Sequence, residues 1–206
     1  MCWHFEVLVN LATEDELSEA VALRLIAATF GDSKVGLKLG RKGNGYLIKK
    51  LPSFRQMAKR GPLLVLTDLD RTACAPALIS KWSGGEQFSE NLLMRVAVRE
   101  IEAWLLADRN GAADLLGISP NLIPVDSEQI ADPKLFLLNL ARKAKREVRS
   151  ELIPAKGAIA SQGLGYNRVL SSFISHNWSL ENAMLGSASL SKAMLRLQEL
   201  AIRFHH

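Results

Sequence analysis

Cysteine is scarce in this chain: Cys2 and Cys74 are the only two among 206 residues. Two cysteines cannot build a disulfide framework, so the fold must rest on a packed core, and the usage suits a reducing compartment. Long apolar runs are missing as well, and no segment reaches the roughly 18–20 residues needed to span a bilayer. The first residues, Met1-Cys2-Trp3-His4-Phe5-Glu6-Val7, lack the basic segment and small-residue cleavage site of a secretory leader. Together these absences predict a cytoplasmic protein with no membrane partner. Histidine is sparse, and neither His4 nor His176 has a second ligand at metal-site spacing. His176 reads as a helix-end residue, and His205-His206 are assigned no function. Repeats and low-complexity tails are absent. What remains, 48% apolar and 23% charged residues, is ordinary for a globular protein with one core or a core with an appendage.

One absence is local. From Ser33 to Thr67 there is no acidic residue, while nine basic ones occur: Lys34, Lys38, Arg41, Lys42, Lys49, Lys50, Arg55, Lys59 and Arg60. A wall of one sign draws in a polyanion and makes its binding salt-dependent. Arg41, Lys42, Lys49 and Lys50 are the candidates for contact with a nucleic-acid backbone. A second cluster, Arg142, Lys143, Lys145, Arg146 and Arg149, reads as a solvated helix face. Gly40-Arg41-Lys42-Gly43-Asn44-Gly45 is a basic glycine-rich loop without the Gly-Lys-Ser/Thr of a nucleotide-binding loop. Gly163-Leu164-Gly165 lacks the preceding strand of a dinucleotide fingerprint.

The basic stretch runs into Pro62-Leu63-Leu64-Val65-Leu66-Thr67-Asp68-Leu69-Asp70. The apolar run predicts a buried strand, and Asp-x-Asp at its end puts two carboxylates where α/β sheets bind ligands. Two such anions repel unless a cation shares them, and a hard divalent ion such as Mg²⁺, or Mn²⁺, suits carboxylate oxygens. The competing reading makes Asp70 a helix cap.

Strand and helix alternate around this feature. Phe5–Asn10 is expected as a first strand, followed by a helix opened by a Thr13/Glu16 capping box and ended at Gly31-Asp32, with Leu17, Ala20, Val21 and Leu25 on one face. Val35–Leu39 is a second strand, Tyr46–Lys59 a helix that Pro52 is able to interrupt, and Ala73–Trp82 a short helix. Leu92–Val98 is a fourth strand and Glu100–Asp108 a helix. Parallel strands with helical crossovers follow, gathering Asn10, Asp68, Asp70, Arg99 and Glu100 at one edge of the sheet. Beyond this the pattern is helical: Asn110–Gly117, an amphipathic Lys134–Arg149, a helix after Asn167, and Ser189–Phe204. The expected organisation is an α/β core over 1–108 and a helical region over 109–206 packed on it. Among the tryptophans, Trp104 is the best core candidate.

Further carboxylates compete for the site. Glu100 and Glu102, two apart on one helix, diverge by about 200° and cannot both face one ion unless the helix starts between them. Each also suits the positive end of a helix. Glu14, just past the first strand, is a third candidate and equally an ordinary first-turn acid.

The combination of Asp68-Leu69-Asp70 after a strand, the preceding basic glycine-rich loop, and Arg99-Glu100-Ile101-Glu102-Ala103-Trp104-Leu105-Leu106-Ala107-Asp108 resembles the Toprim-like proteins of domain-of-unknown-function family 4276. Val7-Leu8-Val9-Asn10-Leu11-Ala12-Thr13-Glu14 is similar to that family's opening strand and helix. The resemblance implies a Toprim-like, Rossmann-like, mainly parallel sheet flanked by helices, a fold shared by topoisomerases, primases and overcoming-lysogeny-type nucleases. It implies Mg²⁺ held by the Asp-x-Asp and by a glutamate after the first strand. It also implies action on nucleic acid and an ATPase partner in a defence setting. On this resemblance the glutamate position falls on Asn10, which has no charge and cannot act as a base. Either Glu14, Glu100 or Glu102 supplies the carboxylate, or catalysis is weakened.

Three functions are therefore in play. The first is a Mg²⁺-dependent nuclease using Asp68, Asp70 and Glu100 or Glu102, with Glu14 as a further ligand. The second is a degenerate Toprim module that only binds nucleic acid or a partner. The third follows from Asp68-Leu69-Asp70-Arg71-Thr72, which matches the first motif of haloacid-dehalogenase-type phosphatases, where the first aspartate is a nucleophile. It ranks last because no later strand ends in paired acidic residues.

Overall fold

Four strands account for the apolar runs of the first half: β1 (Val9–Thr13), β2 (Val35–Gly40), β3 (Leu63–Asp68) and β4 (Leu92–Ala97). They belong to a computed structural model that describes residues 7–31 and 34–204. Cys2, Trp3, His4, the expected strand residues Phe5 and Glu6, the helix-end residue Asp32, Ser33 and His205-His206 lie outside the described residues. The strand order is β2-β1-β3-β4, and β1 runs parallel to both neighbours. Central β1 and β3 are buried almost throughout, as expected for strands covered on both faces. Edge strand β2 is far more open, with Leu37 59% exposed.

Three helices make the crossovers: α1 (Glu16–Phe30), α2 (Asn44–Ala58) and α3 (Ala75–Ser83). α1 buries Leu17, Val21 and Leu25 on one face, as the spacing predicts, while Ala20, expected with them, is half-buried. Its cap is Asp15 rather than Thr13: the Asp15 carboxylate accepts the Ser18 N–H at 2.8 Å. α2 continues through Pro52, with Leu47, Leu51, Phe54 and Ala58 buried. The result is the mainly parallel α/β sheet flanked by helices that the sequence predicts, with a helical C-terminal part. No helix among the described residues is long and apolar enough to cross a membrane.

β1 corrects the expected first strand. The strand begins at Val9 and ends at Thr13, so its carboxyl end lies three residues beyond Asn10. The pairing explains the shift. Asn10 lies opposite Leu63 and Thr13 opposite Leu66, so the whole Leu11-Ala12-Thr13 segment is stitched to β3. On the other side the register of β1 against β2 slips between Val9 and Leu11, and the Asn10 side-chain oxygen fills the irregularity by accepting the Leu37 N–H at 2.8 Å.

The chain divides into two compact units. One contains the described residues up to Val96 and those from Lys192 onward; the other is Ala97–Ser191. The second unit is helical: α4 (Ile101–Ala107), α5 (Arg109–Leu116), α6 (Pro133–Ala141), α7 (Arg146–Leu152), α8 (Tyr166–His176) and α9 (Leu180–Gly186), with two short 3₁₀ turns at Pro120–Leu122 and Ser127–Gln129. α10 (Ala188–Phe204) closes the chain. All seven residues of α4 are buried, so this helix is a core element with no solvent face. Trp104, fully buried, donates its indole N–H to the Ser189 hydroxyl at 2.7 Å. The single amphipathic helix expected over 134–149 is broken into α6 and α7. Tight i−3 bonds from Lys143 to Leu140 and from Ala144 to Ala141 end α6 among clustered like charges. α9 is a further helix, one that the apolar spacing does not predict.

Candidate functional site

In the strand order β2-β1-β3-β4 the winding reverses at β1. The chain leaves β1 for β2 on one side and returns to β3 on the other. Loops diverge at such a switch point and open a crevice beyond the carboxyl ends of the two strands. Thr13 pairs with Leu66, so the residues that follow, Glu14 on one side and Asp68 to Asp70 on the other, emerge beside each other. The strand end therefore places Glu14, not Asn10, at the position after the first strand. Asn10 is inside β1, and its side chain is used by the sheet.

Glu14 is fixed from below. Its Oε1 accepts a hydrogen bond from the buried Thr67 hydroxyl and a second, at 3.1 Å, from the Asp68 N–H. Burial pushes the Glu14 carboxyl above its ordinary range; the Thr67 and Asp68 hydrogen bonds oppose this, and the negative charges of Asp70 and Asp15 add to it. Across the crevice the chain alternates. Leu69 is 2% exposed and packs inward, while Asp68 is half-buried and Asp70 exposed. Asp70 adopts φ 50°, a left-handed conformation that aspartate tolerates better than most residues.

Oxygen-only carboxylate donors suit Mg²⁺ or Mn²⁺, and Mg²⁺ commonly keeps several waters and takes one or two carboxylates. The donor chemistry of Glu14, Asp68 and Asp70 fits such an ion. The three do not form a closed ligand set: among the described residues no three His, Cys, Asp or Glu side chains converge to hold a metal.

The glycine-rich loop lies directly alongside. Arg41 N–H donates to the Thr13 carbonyl and Gly43 N–H to the Glu14 carbonyl, both at 2.9 Å. Gly40 makes this approach possible: its φ is 116°, and a Cβ there would collide with the Thr13 carbonyl oxygen. The four basic candidates then separate. Arg41 is committed to Glu19, donating through Nε at 2.7 Å and a terminal nitrogen at 2.5 Å, with Lys38 3.7 Å from the same carboxylate. Those bonds hold the 3%-exposed Glu19 carboxyl below its ordinary range despite its burial. Lys42, Lys49 and Lys50 are exposed. The ammonium groups of Lys42 and Lys50 lie 5.5 and 6.0 Å from the centre of the Tyr46 ring. Arg55, also in the basic stretch, is taken up by the Ser83 and Gln87 carbonyls and by Glu86.

Glu100 and Glu102 belong to the second unit. Glu100 precedes α4, and its Oε2 accepts the Lys134 N–H at 2.9 Å. Glu102 is 4% exposed, and its Oε1 accepts the Tyr166 hydroxyl at 2.7 Å. Burial pushes the Glu102 carboxyl up to about 7 against the opposing Tyr166 hydrogen bond. Sequence reasoning missed Thr67, Glu19, Tyr46 and Tyr166. Only Tyr46 had a local signal, its place between lysines four residues before and four after.

No family model matches the chain. No curated protein matches it either. Among solved structures, the C-terminal region of the Xanthomonas campestris pv. campestris OLD protein, phased with iodine, aligns over 98% of this chain and 100% of its own at 14% identity and a TM-score of 0.45. The same region phased with mercury gives 14% identity, the same coverage and a TM-score of 0.42.

Proposed function

We propose that this protein is a divalent-metal-dependent phosphoryl-transfer enzyme that cleaves nucleic acid. The observation that carries the reading is the trio Glu14, Asp68 and Asp70 at the β1/β3 switch point, with exposed lysines of the adjoining loop and α2 beside it. Asp68 and Asp70 would hold Mg²⁺ or Mn²⁺, joined by Glu14, whose carboxylate is also anchored on Thr67 and Asp68. The ion, when bound, supplies charge neutralisation at the phosphate oxygens and acidifies a water. Thr67 keeps the Glu14 carboxylate oriented, and Leu69, turned inward, separates the half-buried Asp68 from the exposed Asp70. Lys42, Lys49 and Lys50 attract and retain the polyanion; Arg41 supports the loop through Glu19. Membership of family 4276, an ATPase partner and a defence role extend this proposal on the resemblance alone.

The test is cleavage of single- and double-stranded DNA and RNA with Mg²⁺ or Mn²⁺, repeated with chelator and with Asp68→Ala and Asp70→Ala. Loss of cleavage in all three is expected. Activity that survives both substitutions refutes the proposal. A second reading, a binding module without catalysis, is favoured by the open ligand set. Nucleic-acid binding with no cleavage under any metal would select it.

A further inference from the structure

The loop residue Lys42 and the first two turns of α2 carry an arrangement that a merely solvated basic face does not require. Tyr46 is half-buried. Lys42 lies in the loop four residues before it and Lys50 follows by one helical turn, and the ammonium groups are 5.5 and 6.0 Å from the centre of the ring. Neither lysine has an acid close to it in sequence, since none occurs from Ser33 to Thr67, and the first turn of α2 has no acidic residue. The strip starts at the crevice: Gly43, between Lys42 and the helix, is bonded through its N–H to the carbonyl of Glu14. From Tyr46 to Lys50 it covers roughly 6 Å along the helix.

We infer that Tyr46, flanked by Lys42 and Lys50, is a base-stacking platform that selects single-stranded nucleic acid for the neighbouring carboxylate site. This rests on the nucleic-acid reading above and adds to it the class of substrate. The physical logic is competitive. At 5.5–6.0 Å the ammonium groups touch the ring only loosely, and their four-carbon stems let them swing to phosphates. An unpaired base then takes their place on the ring. Every base has a π-face, so the platform is tolerant of sequence. A duplex keeps its bases stacked on each other and offers the ring nothing, so it gains from the lysines only.

The experiment measures binding of the full chain to end-labelled oligonucleotides of about 20 residues, longer than a typical site. Oligo-dT, oligo-U and a DNA duplex are compared by fluorescence anisotropy in chelator, so that no strand is cut. Tyr46→Ala and Tyr46→Leu are expected to weaken single-strand binding by about 5- to 150-fold, the measured range for one stacked base. Duplex binding should stay within about twofold and Tyr46→Phe within about threefold of the parent on all ligands. Loss with oligo-dT, oligo-U or both identifies DNA, RNA or either as the source of the base. Replacing Lys42 or Lys50 by alanine should reduce the salt slope on single strands by about 0.7 each. Equal weakening of single and double strands by Tyr46→Ala, or no weakening, overturns the platform. Cleavage is scored separately: single-strand binding that depends on Tyr46 without cleavage leaves the platform standing and removes the enzymatic reading. Cleavage that ignores Tyr46→Ala does the reverse.

Discussion

Glu102 sets a pH dependence that stability measurements can detect. Its carboxyl is raised from an ordinary 4.5 to about 7 by burial in α4, where it accepts the Tyr166 hydroxyl. Between those two values the folded protein keeps a proton that the unfolded chain has released. Folding therefore takes up a proton, and stability falls as pH rises through that window. Below 4.5 both states are protonated and the full contribution is present; above about 7 it is gone. A tenfold change in proton affinity corresponds to about 1.4 kcal/mol, so the fall across the window amounts to about 3 kcal/mol. Glu102→Gln keeps the shape and an acceptor for Tyr166 but cannot ionise. Urea unfolding followed by tryptophan emission, to which the buried Trp104 and Trp178 of the same unit contribute, should show wild-type protein losing about 3 kcal/mol between roughly pH 4 and pH 8. The variant should lose far less and be the more stable of the two at the upper end. Parallel pH profiles for the two proteins would refute the assignment of the burden to Glu102.

Other outcomes follow from the first unit. Glu14→Gln should abolish metal-dependent cleavage, whereas Asn10→Ala should leave it intact while costing about 1 kcal/mol through the lost bond to Leu37; the reverse pattern in a cleavage assay would restore Asn10 to the site. Arg41→Ala should destabilise the unit by about 1 kcal/mol with little change in the salt slope of nucleic-acid binding, because its guanidinium serves Glu19. The Glu19–Arg41 contribution should be present above 4.5 and fade as pH falls through the lowered Glu19 value, which a double-mutant cycle at two pH values would read. Gly40→Ala should cost about 2 kcal/mol or more in thermal unfolding, since it meets both a positive φ and the Thr13 carbonyl oxygen.

The parts of the fold readable from the sequence are those specified by local pattern. β3 is a continuous apolar run with turn chemistry at its end, and α1 shows its buried stripe at helical spacing. The alternation of such segments is enough for a mainly parallel sheet. The failures have separate causes. The end of β1 is not marked in Val7–Thr13, because a strand buried on both faces has no alternation to count. A Thr13/Glu16 capping pattern points to a helix start where Asp15 in fact caps. The break between α6 and α7 depends on bonds within one turn that the apolar spacing does not register.

That three-residue shift at the end of β1 changes the chemistry more than it changes the fold. With the strand ended at Asn10, the chain presents an uncharged amide at the switch point and looks impaired. With the strand carried to Thr13, the next residue is a carboxylate held by Thr67 and by the Asp68 backbone, 53 and 54 residues away in sequence. No local signal reports that contact, because it exists only once β1 and β3 are in register. On the proposed reading, with Glu14 at the strand end, Asn10 gives no reason for a degenerate site. What continues to favour a purely binding role is the openness of the carboxylate set, a property of geometry that metal titration addresses directly. A divalent ion that binds wild-type protein at micromolar concentration, and fails to bind Asp68→Ala, would mean that three separated carboxylates close on a cation only when it arrives. Absence of binding at millimolar Mg²⁺ and Mn²⁺ alike would leave the strand ends without catalytic chemistry and the lysines of α2 as a binding surface alone.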